Sequence, residues 1–217
     1  MDIKILVVDD HKITRDGLCA LIEKQPDLKI VGEADNGRDA VKLTRKLEPD
    51  VVVMDISMPN LNGIDATRQI VALYPDIKVI TLSMYSDKRY VQGMLRAGVS
   101  GYLLKNCAFN ELVKAIKMVI SGQSYMSAEI AHIVMKDYTQ SLNRDDTSPA
   151  EILTLREREV LQLIAEGLSS EQIASRLFLS VKTVSTHRRK IMEKLKIDNL
   201  ADLVKFALRE GLISLEI

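Results

Sequence analysis

The stretch Val51-Val52-Val53-Met54-Asp55-Ile56-Ser57-Met58-Pro59 decides the fold. Three valines and a methionine in a row suit a strand covered on both faces, the situation inside a parallel sheet. The run ends on a carboxylate, and Pro59 stops any strand from continuing. Open α/β sheets bind ligands at the carboxyl ends of their strands, so Asp55 stands where a ligand is expected. A carboxylate there would equally cap the following helix, and the stretch alone leaves both readings open.

Working outward, apolar strands alternate with amphipathic helices on short connections. Strands are predicted at 3–8, 28–32, the run ending at Asp55, 78–83 and 101–104. The first helix carries Ile13, Gly17, Leu18, Leu21 and Ile22 on one side, and further helices are predicted at 37–47, 63–73, 89–97 and 109–120. This order predicts an α/β unit with a flavodoxin-like, five-stranded, doubly wound parallel sheet, strands one and three lying side by side. Strand one then ends in Asp9-Asp10, strand three in Asp55, strand four in Ser83 and strand five in Lys105, all on one edge. Three acids there repel one another unless a cation joins them. Hard oxygen ligands in small number suit Mg²⁺, which keeps waters and takes up phosphate oxygens. Lys105 supplies a compact positive charge and Ser83 a hydroxyl for the same phosphate. His11 falls at the exposed start of the first helix, outside any catalytic role. His132 and His187 have no partners at zinc-ligand spacing.

Composition agrees with folded, water-soluble domains: of 217 residues 47% are hydrophobic and 28% charged. Lys+Arg and Asp+Glu are both 30, so only the local distribution of charge can point to a partner. There is no charged-then-apolar leader and no apolar run near 18 residues, and Cys19 and Cys107 stand apart as reduced thiols. The expectation is a cytoplasmic protein with no membrane partner.

Residues 127–138 show Ile130, Ile133, Val134 and Tyr138 at helical spacing, and the polar run 139–150 (TQSLNRDDTSPA) reads as a linker. Thr154-Leu155-Arg156-Glu157 then forms a capping box that opens a helix ending at Gly167. Ser169 or Ser170 caps a second helix, Phe178-Leu179 makes a turn, Ser180 caps a third helix to about 195, and a fourth spans 200–209. Short helix, tight turn and longer helix predict a helix-turn-helix inside an all-α, four-helix unit. On the third helix Val184, His187, Ile191 and Leu195 form the packed stripe, with Lys182, Ser185, Thr186 and Arg189 opposite. Between Lys182 and Lys196 there are six Lys/Arg and one Glu. Such a face is often mere solvated surface; within a helix-turn-helix it is the face that enters the major groove.

Residues 1–122, with Asp9-Asp10, Asp55, Met58-Pro59, Gly63, Ser83, Tyr102 and Lys105, resemble the receiver domain of bacterial two-component response regulators. Residues 150–217 resemble the LuxR-type DNA-binding domain, through Leu153-Thr154, Arg156 to Leu161, Thr183-Val184, His187 and Lys194-Leu195. Residues 123–149 join them as helix and polar linker. Together these look like the NarL/FixJ class. The resemblance implies that Asp55 accepts phosphate from a histidine kinase. It implies that Mg²⁺ is held by Asp10, Asp55 and the backbone carbonyl of Ser57, with Asp9 acting mainly through water. Ser83 and Tyr102 take the switch positions and Lys105 the lysine position. Ser185, Thr186 and Arg189 would face bases, while Lys182, Thr183, Arg188 and Lys190 would lie nearer the DNA backbone. Ser83 stands where threonine is frequent, and Leu155 where proline is. The expected protein is not an enzyme but a phosphorylation-controlled transcription regulator, binding double-stranded DNA at paired half-sites as a homodimer. A stand-alone phosphotransfer carrier and a LuxR-type sensor gated by a small molecule are the rivals; the complete acid pocket argues against the second.

Overall fold

The computed structural model describes residues 2–107, 109–141 and 152–213, and the chain divides into two compact units, 1–143 and 144–217. In the first unit β1 (Ile3–Val8), α1 (Lys12–Ile22), β2 (Leu28–Ala34), α2 (Gly37–Leu47), β3 (Val51–Met54), α3 (Gly63–Leu73), β4 (Lys78–Ser83), α4 (Lys88–Ala97), β5 (Gly101–Leu104), α5 (Phe109–Ile120), β6 (Tyr125–Met126) and α6 (Ala128–Ser141) follow in order. The strands pair in parallel as β2-β1-β3-β4-β5-β6. The sheet therefore has six strands where five were expected. β6 is two residues long, too short to show a period, and is drawn onto β5 by backbone bonds from Tyr125 N–H to Ser100 and from Ser127 N–H to Tyr102.

β3 is buried throughout, as its composition predicts. Val51 and Val53 pack with Ile5, Val7 and the α5 residues Leu112 and Ile116, while Val52 and Met54 face Leu6, Val8, Ala66 and Ile70. Each such side chain contributes roughly 1.5–3 kcal/mol of transfer free energy. α1 differs from the expected facing. Leu18, Cys19 and Ile22 turn inward, but Ile13 is 89% exposed, Leu21 is exposed, and a Cβ on Gly17 would meet open space. The helix carries apolar residues on two sides, and only the sheet beneath it decides which one is covered. α6 runs three residues beyond its expected end, into the stretch read as linker; residues 142–150 of that stretch lie outside the described residues.

The second unit holds α7 (Leu155–Ala165), α8 (Ser170–Leu177), α9 (Val181–Leu195) and α10 (Leu200–Arg209). Thr154 and Glu157 form the capping box reciprocally, Ser169 rather than Ser170 caps α8 in a second box with Gln172, Ser180 caps α9 and Asn199 caps α10. Val160, Leu161, Leu163, Ile173, Leu177, Val184, Ile191, Leu203 and Phe206 make the core. Phe178, in a left-handed conformation (φ 54°), turns the chain between α8 and α9. Lys194 Nζ lies 2.6 Å from Glu157 and donates to the Ile152 carbonyl, tying α9 to the start of α7. Among the described residues no helix is long and apolar enough to cross a membrane.

Candidate functional site

Parallel register brings the acids together. Val8 pairs with Met54, so Asp9 and Asp55 leave adjacent strands at the same height, where the strand order reverses. Asp55 N–H donates to Val8 O, and Lys105 N–H to Ser83 O, which places the ends of β1, β3, β4 and β5 on one edge. Gly63 makes this approach possible: its N–H donates to Ile56 O at 2.7 Å, and a Cβ there would lie 1.8 Å from the Asp55 carbonyl oxygen. The motif glycine is a steric requirement of packing α3 under the loop that carries Asp55.

Asp55 is 4% exposed. Its Oδ1 accepts the Ile56 N–H at 2.7 Å, and its Oδ2 lies 2.8 Å from Lys105 Nζ. The same Nζ is 2.8 Å from Asp9 Oδ2, so one half-buried ammonium bridges two buried carboxylates. Burial pushes Asp55 up to about 6, against the pull of Lys105. Burial acts the other way on Lys105, but Asp55 and Asp9 outweigh it and hold the ammonium above its ordinary value. The helix-cap reading of Asp55 fails: Asn62 caps α3, accepting from Asp65 N–H. Asp10 is partly exposed. Its Oδ1 is buried without a hydrogen-bond partner, 2.9 Å from the Nδ1 of His11, whose side chain is largely exposed. Asp9, Asp10, His11 and Asp55 each present a ligand atom within 4.8 Å of the others, a group able to hold a metal ion. Ser57, half-buried, follows in the loop after β3.

Ser83 and Tyr102 are fully buried beside this cluster. Ser83 Oγ accepts from Tyr85 N–H at 3.1 Å, and the Tyr102 hydroxyl donates to Tyr85 O at 2.8 Å. Both groups thus grip one peptide residue, on the connection from β4 to α4. Burial raises the Tyr102 phenol well above its usual range, with the nearby Ser83 hydroxyl acting against it.

Two residues of the pocket were not anticipated. Arg15 donates from Nη1 to the Asp9 carbonyl at 2.6 Å and from Nε to Glu33 on β2 at 3.2 Å. Arg15 lies one helical turn past His11, a spacing that would have pointed it back to the strand end; nothing in the sequence marks Glu33.

On α9 the two faces separate as expected. Val184 and Ile191 are buried, His187 and Leu195 partly so. Lys182, Ser185, Arg189 and Lys190 are exposed; Thr183, Thr186 and Arg188 are half-exposed. Thr183 joins the Ser180 cap through both its N–H and its hydroxyl. The Ser185 and Thr186 hydroxyls donate to Val181 O and Lys182 O one turn back, leaving oxygen lone pairs outward. Arg189 lies 3.8 Å from Glu193, so one anion sits on the cationic face. Ser185, Arg188, Arg189, Glu193 and Lys196 line an open groove beside Ser170.

Comparison with known proteins agrees with both units. Residues 5–117 match the response regulator receiver domain, and residues 151–207 match the bacterial regulatory proteins of the luxR family. The transcriptional regulatory protein DegU of Brevibacillus brevis is 36% identical over 96% of this chain and 94% of its own. The oxygen regulatory protein NreC of Staphylococcus carnosus is 37% identical over 97% and 99%. The structure of RcsB from Salmonella enterica serovar Typhimurium bound to a promoter superposes with a TM-score of 0.61, at 26% identity, covering 95% of this chain and 98% of that one. This chain belongs to the response regulators of the NarL/FixJ class, DNA-binding transcription regulators made of a receiver domain and a LuxR-type helix-turn-helix domain.

Proposed function

We propose that Asp55 accepts a phosphoryl group from a histidine kinase in the cytoplasm, and that the phosphorylated chain pairs on DNA half-sites. The observation that carries this reading is the half-buried Lys105 ammonium held at 2.8 Å from both Asp9 and Asp55, two carboxylates buried at the strand edge. A preset cation beside a buried carboxylate matches a reaction that needs positioning and charge neutralisation more than covalent help. The three carboxylates of the group fit Mg²⁺: Asp9, Asp10 and Asp55 offer oxygen alone, and a buried Asp10 Oδ1 lacks a hydrogen-bond partner. Asp10, Asp55 and the Ser57 carbonyl would hold the ion, with Asp9 acting through water. Bound there, it would neutralise phosphoryl oxygens.

The chain's own residues do the rest. Asp55 attacks phosphorus, the P–N bond to the donor imidazole breaks, and the new P–O bond makes an aspartyl phosphate. The Ile56 N–H orients the Asp55 carboxylate before attack. Lys105 transfers its contact from the free carboxylate to the phosphoryl oxygens, and Ser83 donates its hydroxyl to one of them while Tyr102 follows.

The receiver is assigned to residues 1–122, the joining segment to 123–149 and the DNA-binding domain to 150–217. In the last, Ser185, Thr186 and Arg189 read bases, and Lys182, Thr183, Arg188 and Lys190 hold phosphates. RcsB, a relative of the same fold, is described as bound to a promoter in the presence of the phosphomimetic BeF₃⁻. With acetyl phosphate and Mg²⁺ the intact chain should gain one phosphoryl group; Asp55→Asn should gain none, and EDTA should suppress the gain. Equal labelling of both proteins would end the assignment.

A further inference from the structure

α6 packs on α4 rather than standing free. Ile130 is fully buried with Tyr90, Val91 and Met94 of α4 and with Tyr102, and Ile133 and Val134 lie against the same cluster. Asp137, one turn past Ile133, is ion-paired with Lys88 and hydrogen-bonded by Gln92, both on α4. Burial acts against the Asp137 carboxylate, but Lys88 and Gln92 hold it below its ordinary range. At its other end α6 is tied to the switch strand, for Ser127 N–H donates to Tyr102 O at 3.0 Å.

These contacts form a continuous path. Ser83 and Tyr102 hold the N–H and the carbonyl of Tyr85. The Tyr85 ring lies 4.6 Å from that of Tyr90, in the first turn of α4. Lys88 opens that same turn and Gln92 follows one turn later. A displacement of Ser83 toward a phosphoryl group on Asp55 therefore pulls on Tyr85, and through it on the turn that grips Asp137.

We propose that Asp137 is a latch: it fastens α6 to α4 while Asp55 is a free carboxylate paired with Lys105, and phosphorylation of Asp55 loosens it through Ser83, Tyr85 and Tyr102. α6 is then the element that carries the phosphorylation state out of the sheet toward the segment that follows. The coupling biases two packings of one helix, the form such switches take. It rests on Asp55 being the acceptor, and the test separates the two claims.

The test is hydrogen exchange of α6 amides in the full chain, with and without acetyl phosphate and Mg²⁺, incorporation being counted by intact mass. Phosphorylation should raise exchange in the last two turns of α6 about 5-fold or more, the lower end of usual coupling strengths. Asp137→Asn should show the raised exchange without phosphate and respond little to it. The swapped pair Lys88→Asp with Asp137→Lys should restore protection and response, which a merely unfolded variant cannot do. Full incorporation with unchanged α6 exchange overturns the latch alone, as does an Asp137→Asn chain that behaves like the parent. Absence of incorporation at Asp55 overturns the acceptor assignment, and the latch with it.

Discussion

Arg15 shows how much of the acid pocket is held from behind. Its guanidinium reaches back from α1 to the Asp9 carbonyl and is itself pinned by Glu33, so it sets the turn from which Asp9 and Asp10 project. Outer-shell partners of this kind usually cost 10–100-fold in metal affinity when removed. Arg15→Ala should therefore weaken Mg²⁺ binding by about 10-fold, with Arg15→Lys recovering part, measured by calorimetric titration. Unchanged affinity would show that Arg15 only packs. Asp55 makes a second prediction. Its folded-state value of about 6 lies above the ordinary 3.8. The folded state thus binds the proton more tightly, and ionisation destabilises it. The penalty is full above pH 6, shrinks as pH falls toward 4, and vanishes below that. Asp55→Asn should then be more stable than the parent at pH 7.5 in EDTA, by about 3 kcal/mol. The difference should fade by pH 4, as read from urea unfolding at each pH; a constant difference would mean that the buried charge is not its source.

Among the elements, α9 presents hydroxyls and cations on one exposed face, to which the proposed function gives separate roles. Ser185 and Thr186 spend their hydroxyl protons on the helix backbone, so toward DNA they offer lone pairs and a methyl group. Arg189, one turn beyond Ser185, is an exposed donor on the same face, and a bidentate bond to guanine is worth ~1–3 kcal/mol of discrimination. Arg189→Ala should flatten preference at one base-pair position per half-site. Lys182→Ala should instead weaken all duplexes alike and lower the salt slope by about one unit. Titrations of both variants against a matched operator and a scrambled duplex, at several salt concentrations, separate the roles. Identical losses on both duplexes would make Arg189 a phosphate clamp. α1 carries the opposite lesson: two apolar sides in its sequence, one chosen by the sheet.

At the scale of the whole molecule, formal charge cancels, 30 against 30, while one helix carries a surplus of cations. On the proposed reading, DNA affinity depends on that helix rather than on bulk attraction, and a second copy would double the face presented to paired half-sites. Phosphorylated chain should associate more tightly than unphosphorylated chain in sedimentation, and Ser83→Ala should blunt the difference while leaving labelling intact. Equal association constants with complete labelling would remove dimerisation from the mechanism.

The sequence by itself determined the alternation of strands and helices, the strand ends that gather Asp9, Asp10, Asp55, Ser83 and Lys105, and the two faces of α9. These are local matters: period, caps and the residue that ends an apolar run are all written within one element. Parallel register then places strand ends together without further information. What only the tertiary structure decided depends on partners distant in the chain. β6 has two residues and exists because β5 offers an unpaired edge. Arg15 finds Glu33, Lys105 bridges Asp9 and Asp55, and Asp137 meets Lys88 and Gln92 because long side chains span gaps that packing alone sets. No periodicity encodes such pairs, since the geometry that brings them within hydrogen-bond reach belongs to the assembled sheet and its helices.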